Sequence, residues 1–551
     1  MTAWSRWTRR RPPATGNPTS DSGGSDVWAP WAVLAAILVL GLALWEPFPP
    51  GIWHDDGVYV LLGRSLAQGD GLRYVGIPGE PLAPKFPPLY PFLLAVAWVL
   101  DPRFPENAGI LGGVNLLLVS VAAGLFLAFL RRVLRVPLPL AVAVTLLTWM
   151  SPNLWRVTLV PLSEPLFVLT LTLALWAGAR LERGGGRREL ALFLLAGGLA
   201  FYARTLGVAV LLGGVAALLL RRRPRMALLT LLGSTAVVLP WILWSRWATR
   251  SILPALRDIL GSYGGWLTDE ISRDPLGYGG YLLANAGHLL GRALALLLPG
   301  IPEPALWAGL VLLPFLLLGL WEAGRKSLVI PSTLAFGLII ILAWPFQDIR
   351  LLVPFQPILT LAVGLGFWTL LSSGLLSMKG KISVALSASA WVVLATGFSV
   401  YRLATGWPGE PYRVRSEVLM TAVQAVEEKV PPGAVVGAPE LWPGLQLFTG
   451  VTVVPSARFI PLGGDEPTWG SPRAQLALWM ETGVTHILVE HGGRVHGDAL
   501  ERLEEVCPPG TVEVVDRKPG HVLVALHWNE TCRRRVMEDG PEETPGGRHE
   551  S

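Results

Sequence analysis

The sequence predicts an α-helical polytopic membrane protein of about 11–13 transmembrane helices, followed by a small C-terminal α/β domain. Three observations carry this. The 551 residues are 52% hydrophobic and 15% charged, with a mean hydropathy of +0.48, whereas soluble globular chains carry about 25% charged residues. Long apolar runs recur with short Arg/Lys clusters between them. Beyond position 406, short β-branched runs begin to alternate with helical patterns.

Residues 1–28 form a basic N-terminus, with Arg6, Arg9, Arg10 and Arg11 ahead of a Pro/Gly/Ser-rich stretch, expected to be cytoplasmic and disordered. The apolar run 29–45 leads into Glu46-Pro47-Phe48-Pro49-Pro50 without a small-residue cleavage site, so it reads as an uncleaved first helix. Crossing a bilayer takes about 20 apolar residues. Runs near 29–46, 107–130, 137–151, 163–179, 189–203, 205–220, 226–245, 303–321, 327–345, 351–371 and 383–401 qualify. Basic clusters at Arg131/Arg132/Arg135, Arg180–Arg188, Arg221–Arg225, Arg325/Lys326 and Lys379/Lys381 mark cytoplasmic ends. One topology satisfies every cluster, provided that 88–100 and 283–299 do not cross fully. The first is short and starts with prolines; the second carries His288 and Arg292 one helical turn apart. The net charge of +5 is therefore a topology signal and gives no reason to expect a nucleic-acid partner.

In that topology the loop 47–106, the loop 246–282 and the C-terminal region lie on the extracytoplasmic side of a plasma (inner) membrane. The loop 47–106 carries His54-Asp55-Asp56-Gly57-Val58-Tyr59 and Lys85-Phe86-Pro87-Pro88-Leu89-Tyr90-Pro91. Adjacent carboxylates at a bilayer surface are costly and point to a function: a base, a cation site, or helix caps. Lys85, Arg156, Arg204 and Arg350 also fall outside, against the charge rule. Each either binds an anion or snorkels or pairs, with Asp348 or Glu164 as partners. Glu164 either pairs with Arg156 or lines an acceptor cavity. Tyr59 reads as packing and His54 as an interfacial residue; a metal role for His54 with Asp55 and Asp56 would match no standard ligand spacing, so a divalent cation is the less favoured alternative.

Residues 406–537 read as the α/β domain: a helix over 416–428, strands at 434–437, 451–454 and 486–489, helices over 473–482 and 498–506, and a hairpin of 511–515 with 521–526. Cys507 and Cys532 are the only cysteines; the compartment permits a disulfide but spacing does not decide it. No Cys/His cluster suggests structural zinc. The tail 538–551 is charged and Pro/Gly-rich, hence expected to be disordered.

These motifs together resemble the polytopic glycosyltransferases of the GT-C fold, in the branch of protein mannosyltransferases and aminoarabinose transferases. The resemblance spans about 29–400 and rests on Asp55-Asp56-Gly57-Val58-Tyr59, Lys85-Phe86-Pro87-Pro88, Ser163-Glu164-Pro165, Arg204-Thr205 and Arg350-Leu351-Leu352-Val353-Pro354. It departs at Asp56, where the family usually has Glu. It implies a polyprenyl-phosphate-linked sugar as donor, a protein, lipid or glycan as acceptor, and no required cofactor. Catalytic roles would fall to Asp55, as general base, and Asp56; Lys85, Arg204 and Arg350 would hold the donor phosphate, with His54, Tyr59 and Glu164 lining the substrates. Attack opposite the departing phosphate would invert the sugar's anomeric centre. The competing classes are a lipid-linked sugar transporter or flippase, which predicts midplane charges and an internal repeat, and a non-catalytic cell-envelope assembly protein.

Overall fold

The computed structural model describes residues 25–298, 306–344, 348–456, 472–490 and 494–538; the basic N-terminal cluster and nearly all of the charged tail lie outside them. The helical part runs α1 (Ser25–Leu44), α2 (Asp55–Gln68), α3 (Leu89–Leu100), α4 (Ala108–Arg132), α5 (Leu138–Trp149), α6 (Pro152–Arg156), α7 (Glu164–Glu182), α8 (Arg187–Ala203), α9 (Val208–Leu220) and α10 (Pro224–Ala248). It continues through α11 (Arg257–Leu260), α12 (Tyr263–Arg273), α13 (Pro275–Leu297), α14 (Leu306–Lys326), α15 (Val329–Ala343), α16 (Gln356–Ser372) and α17 (Met378–Ala404). Among the described residues, six helices are long and apolar enough to cross a membrane, and four shorter apolar helices stand beside them.

The bundle is held by packing of small residues, because lipid tails give helices no hydrophobic reason to associate. At the crossing of α14 and α16, a Cβ on Gly319 would come within 1.5 Å of the Ala362 carbonyl oxygen, and one on Gly366 within 2.0 Å of that of Phe315. Only glycine lets these backbones touch. α16 is buried over most of its length, while α1, α10 and α17 turn most of their surface outward.

Four of the basic clusters, those near 131–135, 180–188, 221–225 and 325–326, meet at one end of the bundle. Arg183 donates to the carbonyls of Val133 and Lys326, and Lys326 to that of Leu134. Arg221 pairs with Glu182 at 2.7 Å, and Arg223 donates to the carbonyls of Leu181 and Gly185. The loop between α1 and α4 lies at the other end of α7, about 27 Å away by helical rise.

α3, the segment expected not to cross, is a 12-residue helix, about 18 Å long against a hydrocarbon core of about 30 Å. α13 is longer than the 283–299 run suggests. Asp274 caps it by accepting from the Gly277 amide at 2.9 Å, and it extends over 23 residues.

The C-terminal part is α18 (Glu410–Lys429), β1 (Val435–Ala438), α19 (Trp442–Thr449), β2 (Thr452–Pro455), α20 (Pro472–Glu481), β3 (His486–Glu490), α21 (Arg494–Val506), β4 (Val512–Lys518), β5 (His521–Leu526) and α22 (Glu530–Glu538). The sheet order is β2-β1-β3-β5-β4. β1 lies parallel to β2 and β3, whereas β5 is antiparallel to β3 and β4, so the expected hairpin closes the sheet. Cys507 and Cys532 are disulfide-bonded. The sequence pattern misses α19 and α22. In α19 the Pro443-Gly444 pair looks like a turn, and α22 is too polar to show an apolar stripe.

Candidate active site

The loop before α2 is built to present Asp55. Gly51 takes a positive φ of 97°, and its amide donates to Asp56 Oδ2 at 2.8 Å while the Trp53 amide donates to Oδ1 at 2.9 Å. The loop is thereby tied to the first turn of α2. Asp56 is fully buried, and burial pushes its carboxyl up to about 6 against the pull of these amides. The acidic pair therefore divides its work: Asp56 holds the loop from behind, and Asp55, the first residue of α2, faces the interior of the site at the positive end of the helix dipole.

α19 backs this loop from the C-terminal domain. A Cβ on Gly51 would meet the Gly444 Cα at 2.2 Å, and one on Gly57 the Pro443 Cβ at 2.6 Å. The His54 ring packs edge-on against Trp442 with centroids 5.6 Å apart. Burial pushes the His54 imidazole down, although Asp55 opposes it.

Asp55 pairs with Arg350. Arg350 stands on the 3-10 turn Ile349–Leu351, where Asp348 accepts from its backbone amide at 2.8 Å. Its Nε is 3.1 Å from Glu164 Oε1, and Arg204 Nη1 reaches the same oxygen at 2.7 Å. Arg204 Nη1 also donates to Ser163 Oγ at 3.1 Å, and Ser163 shares a 2.9 Å hydrogen bond with Tyr59 OH. Residues from the head of α2, the head of α7, the end of α8 and the approach to α16 thus form one connected polar network. Burial pushes the Asp55 carboxyl up, but Arg350, helped by His54 and Lys85, outweighs it and holds the group at about 2.

Lys85 stands apart from the network. Its Nζ donates to the Ile259 carbonyl at 3.1 Å and lies 5.5 Å from the centre of the Tyr263 ring. Burial pushes its ammonium down, opposed by Asp55. Tyr59 is also a packing residue, edge-on to Phe86 and Tyr90 with centroids 5.0 Å apart in each pair.

Of the two readings of Glu164, the pairing with Arg156 does not form. Arg156 stacks on Trp407 at 4.2 Å, and its carbonyl accepts from Tyr412 OH at 2.6 Å. Glu164, fully buried, pairs with Arg204 and Arg350 instead, whereas Arg156 is only half-buried. Arg156 lines a narrow cleft that reaches Arg350 past Trp53, Asn153 and Tyr412. Sequence reasoning also missed Ser163 as a bridge and Tyr263 as a neighbour of Lys85. Their only sequence signals are the Ser-Glu-Pro helix start and a place in the 246–282 loop. Among the described residues, no three His, Cys, Asp or Glu side chains gather as a metal site.

Two solved structures share this architecture over nearly their whole length. ArnT from Cupriavidus metallidurans bound to undecaprenyl phosphate superposes with a TM-score of 0.52 and 13% identity, over 92% of this chain and 98% of that one. The same protein in the apo state gives a TM-score of 0.54, again at 13% identity, over 91% and 98%. The chain has the GT-C fold. No family model and no curated protein sequence matches it. At 13% identity over more than nine-tenths of the chain, the likeness lies in the arrangement of the elements, with few shared residues.

Proposed function

We propose that this integral membrane protein is a glycosyltransferase that moves a sugar from a polyprenyl phosphate to an acceptor hydroxyl on the extracytoplasmic side. The observation that carries the proposal is the Asp55 carboxylate held by Arg350 at the head of α2, with Lys85 and Arg204 nearby, in a fold shared with a solved structure bound to undecaprenyl phosphate. The sidedness follows from the basic clusters at the opposite end of α7, which the positive-inside rule makes cytoplasmic.

The leaving group sets the requirements. A glycosidase needs a carboxylic acid to protonate a poor leaving oxygen, whereas a lipid phosphate leaves readily if fixed cations receive its charge. In the proposed reaction the acceptor oxygen bonds to the sugar's anomeric carbon as the carbon–oxygen bond to phosphate breaks. The acceptor proton passes to Asp55, the freed lipid phosphate stays with Arg350, Arg204 and Lys85, and the anomeric centre inverts. An Asp held at about 2 is a weak base, so donor binding has a second task. Phosphate that draws Arg350 toward itself loosens its hold on Asp55 and raises the basicity of that carboxylate as the acceptor arrives. Arg350 has a terminal nitrogen, Nη1, that is buried without a hydrogen-bond partner, which leaves it free for this exchange. The cleft beside Trp53 and Arg156 is the proposed acceptor approach.

The test is sugar transfer by membranes carrying the wild type or Asp55→Asn, supplied with radiolabelled polyprenyl-phosphate monosaccharides. The wild type should transfer, with inversion, and the variant should lose about 10²–10⁴-fold while its thermal unfolding midpoint is kept. Equal transfer by both proteins removes Asp55 as the base. Retained stereochemistry rules out the single displacement.

A further inference from the structure

The far end of α2 carries a second cation with a different setting. Arg64 lies nine positions beyond Asp55, about 13 Å along the helix. It opens onto a pocket of about 460 Å³ whose walls include Gln68, Trp98, Phe104, Leu447 and Phe448. That size falls within the range of small-molecule sites, about 300–1,000 Å³. Trp98 stacks on Phe104 with centroids 5.9 Å apart, Phe104 meets Phe448 at 4.8 Å, and the Trp98 indole donates to the Val60 carbonyl at 3.1 Å. The pocket is therefore a built junction of α2, α3 and α19.

Arg64 Nε is buried without a hydrogen-bond partner, and burial depresses the guanidinium with no carboxylate to oppose it. Asp101, next to Pro102 of the wall, is already taken by Arg103 at 3.0 Å. A half-buried, unpaired guanidinium is costly unless an anion completes it, and its planar fork suits phosphate. The surface leading away from the pocket is apolar. α3 exposes Phe92 (62%), Val96 (46%), Val99 (70%) and Leu100 (74%), spaced i, i+4, i+7 and i+8 on one face. Val99 belongs to both this stripe and the pocket wall. A helix too short to span, with one bare apolar face and aromatic rings at its end, sits where headgroups meet chains.

We infer that the pocket around Arg64 is a binding site for one anionic glycerophospholipid, its phosphate on Arg64 and its acyl chains along the exposed face of α3. The bound lipid joins α2 and α3 to α19 of the C-terminal domain, the same helix that backs the Asp55 loop. The site is distinct from the network around Arg350 and does not depend on the reaction proposed there.

The full chain, purified in detergent and delipidated, is examined by native mass spectrometry with added phosphatidylglycerol, phosphatidylcholine, diacylglycerol or polyprenyl phosphate. The wild type should retain one phosphatidylglycerol about tenfold more tightly than phosphatidylcholine, and Arg64→Gln should erase that preference. Arg64→Lys should keep most of it, and Arg103→Gln, at an exposed arginine already paired, should change nothing. Equal phosphatidylglycerol retention by wild type and Arg64→Gln overturns the site, as does equal retention of diacylglycerol. Polyprenyl phosphate held through Arg64 in preference to phosphatidylglycerol, and unaffected by Arg350→Ala, makes it a second carrier-lipid site instead. Should Arg64→Gln fail to fold, a wild-type unfolding midpoint raised by phosphatidylglycerol and not by diacylglycerol, with Arg64→Lys responding alike, supports the site. No such difference overturns it.

Discussion

The two ends of α7 solve the same problem in opposite ways. Each buries a glutamate beside arginine. At the cluster end, Glu182 is met by Arg221 at 2.7 Å, the Ser327 hydroxyl at 2.7 Å and the amides of Leu328 and Val329 at 2.9 and 3.3 Å. Every lone pair that matters has a donor, and the result is a lock between α7, α9 and the start of α15. At the loop end, Glu164 sits within ion-pair distance of Arg204 and Arg350, yet neither of its oxygens completes an aligned hydrogen bond, and two nitrogens of Arg350 are likewise unsatisfied. A buried polar network left incomplete is expensive, and the phosphate of the proposed donor would complete this one. The contrast marks the loop end as the one the proposed reaction would use.

The comparison can be broken or sharpened by substitution. Glu182→Ala strands a hydroxyl and two amide donors, so it should cost about 3–5 kcal/mol of stability and leave the activity of the folded fraction intact, as thermal unfolding and sugar transfer would report. Glu164→Gln should do the reverse. Its arginines keep Asp55, Asp348 and Ser163, so stability should change by about 1 kcal/mol or less, while transfer falls by about 10–100-fold because Arg350 loses its placement. A large stability loss with normal transfer in Glu164→Gln would make the loop end a second lock.

Asp56→Asn exchanges one of the two acceptors that hold the Gly51 and Trp53 amides for a donor, and should cost about 1–3 kcal/mol. It also carries a pH signature. Folding raises the Asp56 carboxyl from 3.8 to about 6, so in that window the folded chain binds more protons than the unfolded one. Stability from this group is present at low pH and falls as pH rises through the window. A series of unfolding midpoints should show this slope in the wild type and lose it in Asp56→Asn. The smallest effect is expected of Tyr59→Phe, which deletes one hydrogen bond to Ser163 and keeps the ring packing. It should cost about 1 kcal/mol and change transfer less than Glu164→Gln does.

Much of this was legible in advance. The apolar runs became helices because a chain in hydrocarbon must satisfy its backbone within the segment. The alternation beyond position 406 became a sheet because strands and helices show different periods over a few residues. The motif residues Asp55, Glu164, Arg204 and Arg350 were singled out by charges that a membrane protein would otherwise avoid. Ser163 had no comparable signal, since a hydroxyl is unremarkable at any helix start, and α19 was hidden by its Pro443-Gly444 pair.

Composition, periodicity and charge placement are local quantities. By themselves they determined that this chain enters a membrane, where most of its helices and strands fall, and which ionisable residues are out of place. Which charge meets which was left to the tertiary structure. Asp55 and Arg350 are 295 residues apart, and the neighbours Asp55 and Asp56 face different ways because an α-helix rotates successive residues by about 100°. Glu164 found Arg204 and Arg350 in preference to Arg156, which is nearer only in sequence, because Coulomb attraction follows distance in space, and only the packing of α2, α7, α8 and α16 sets that distance.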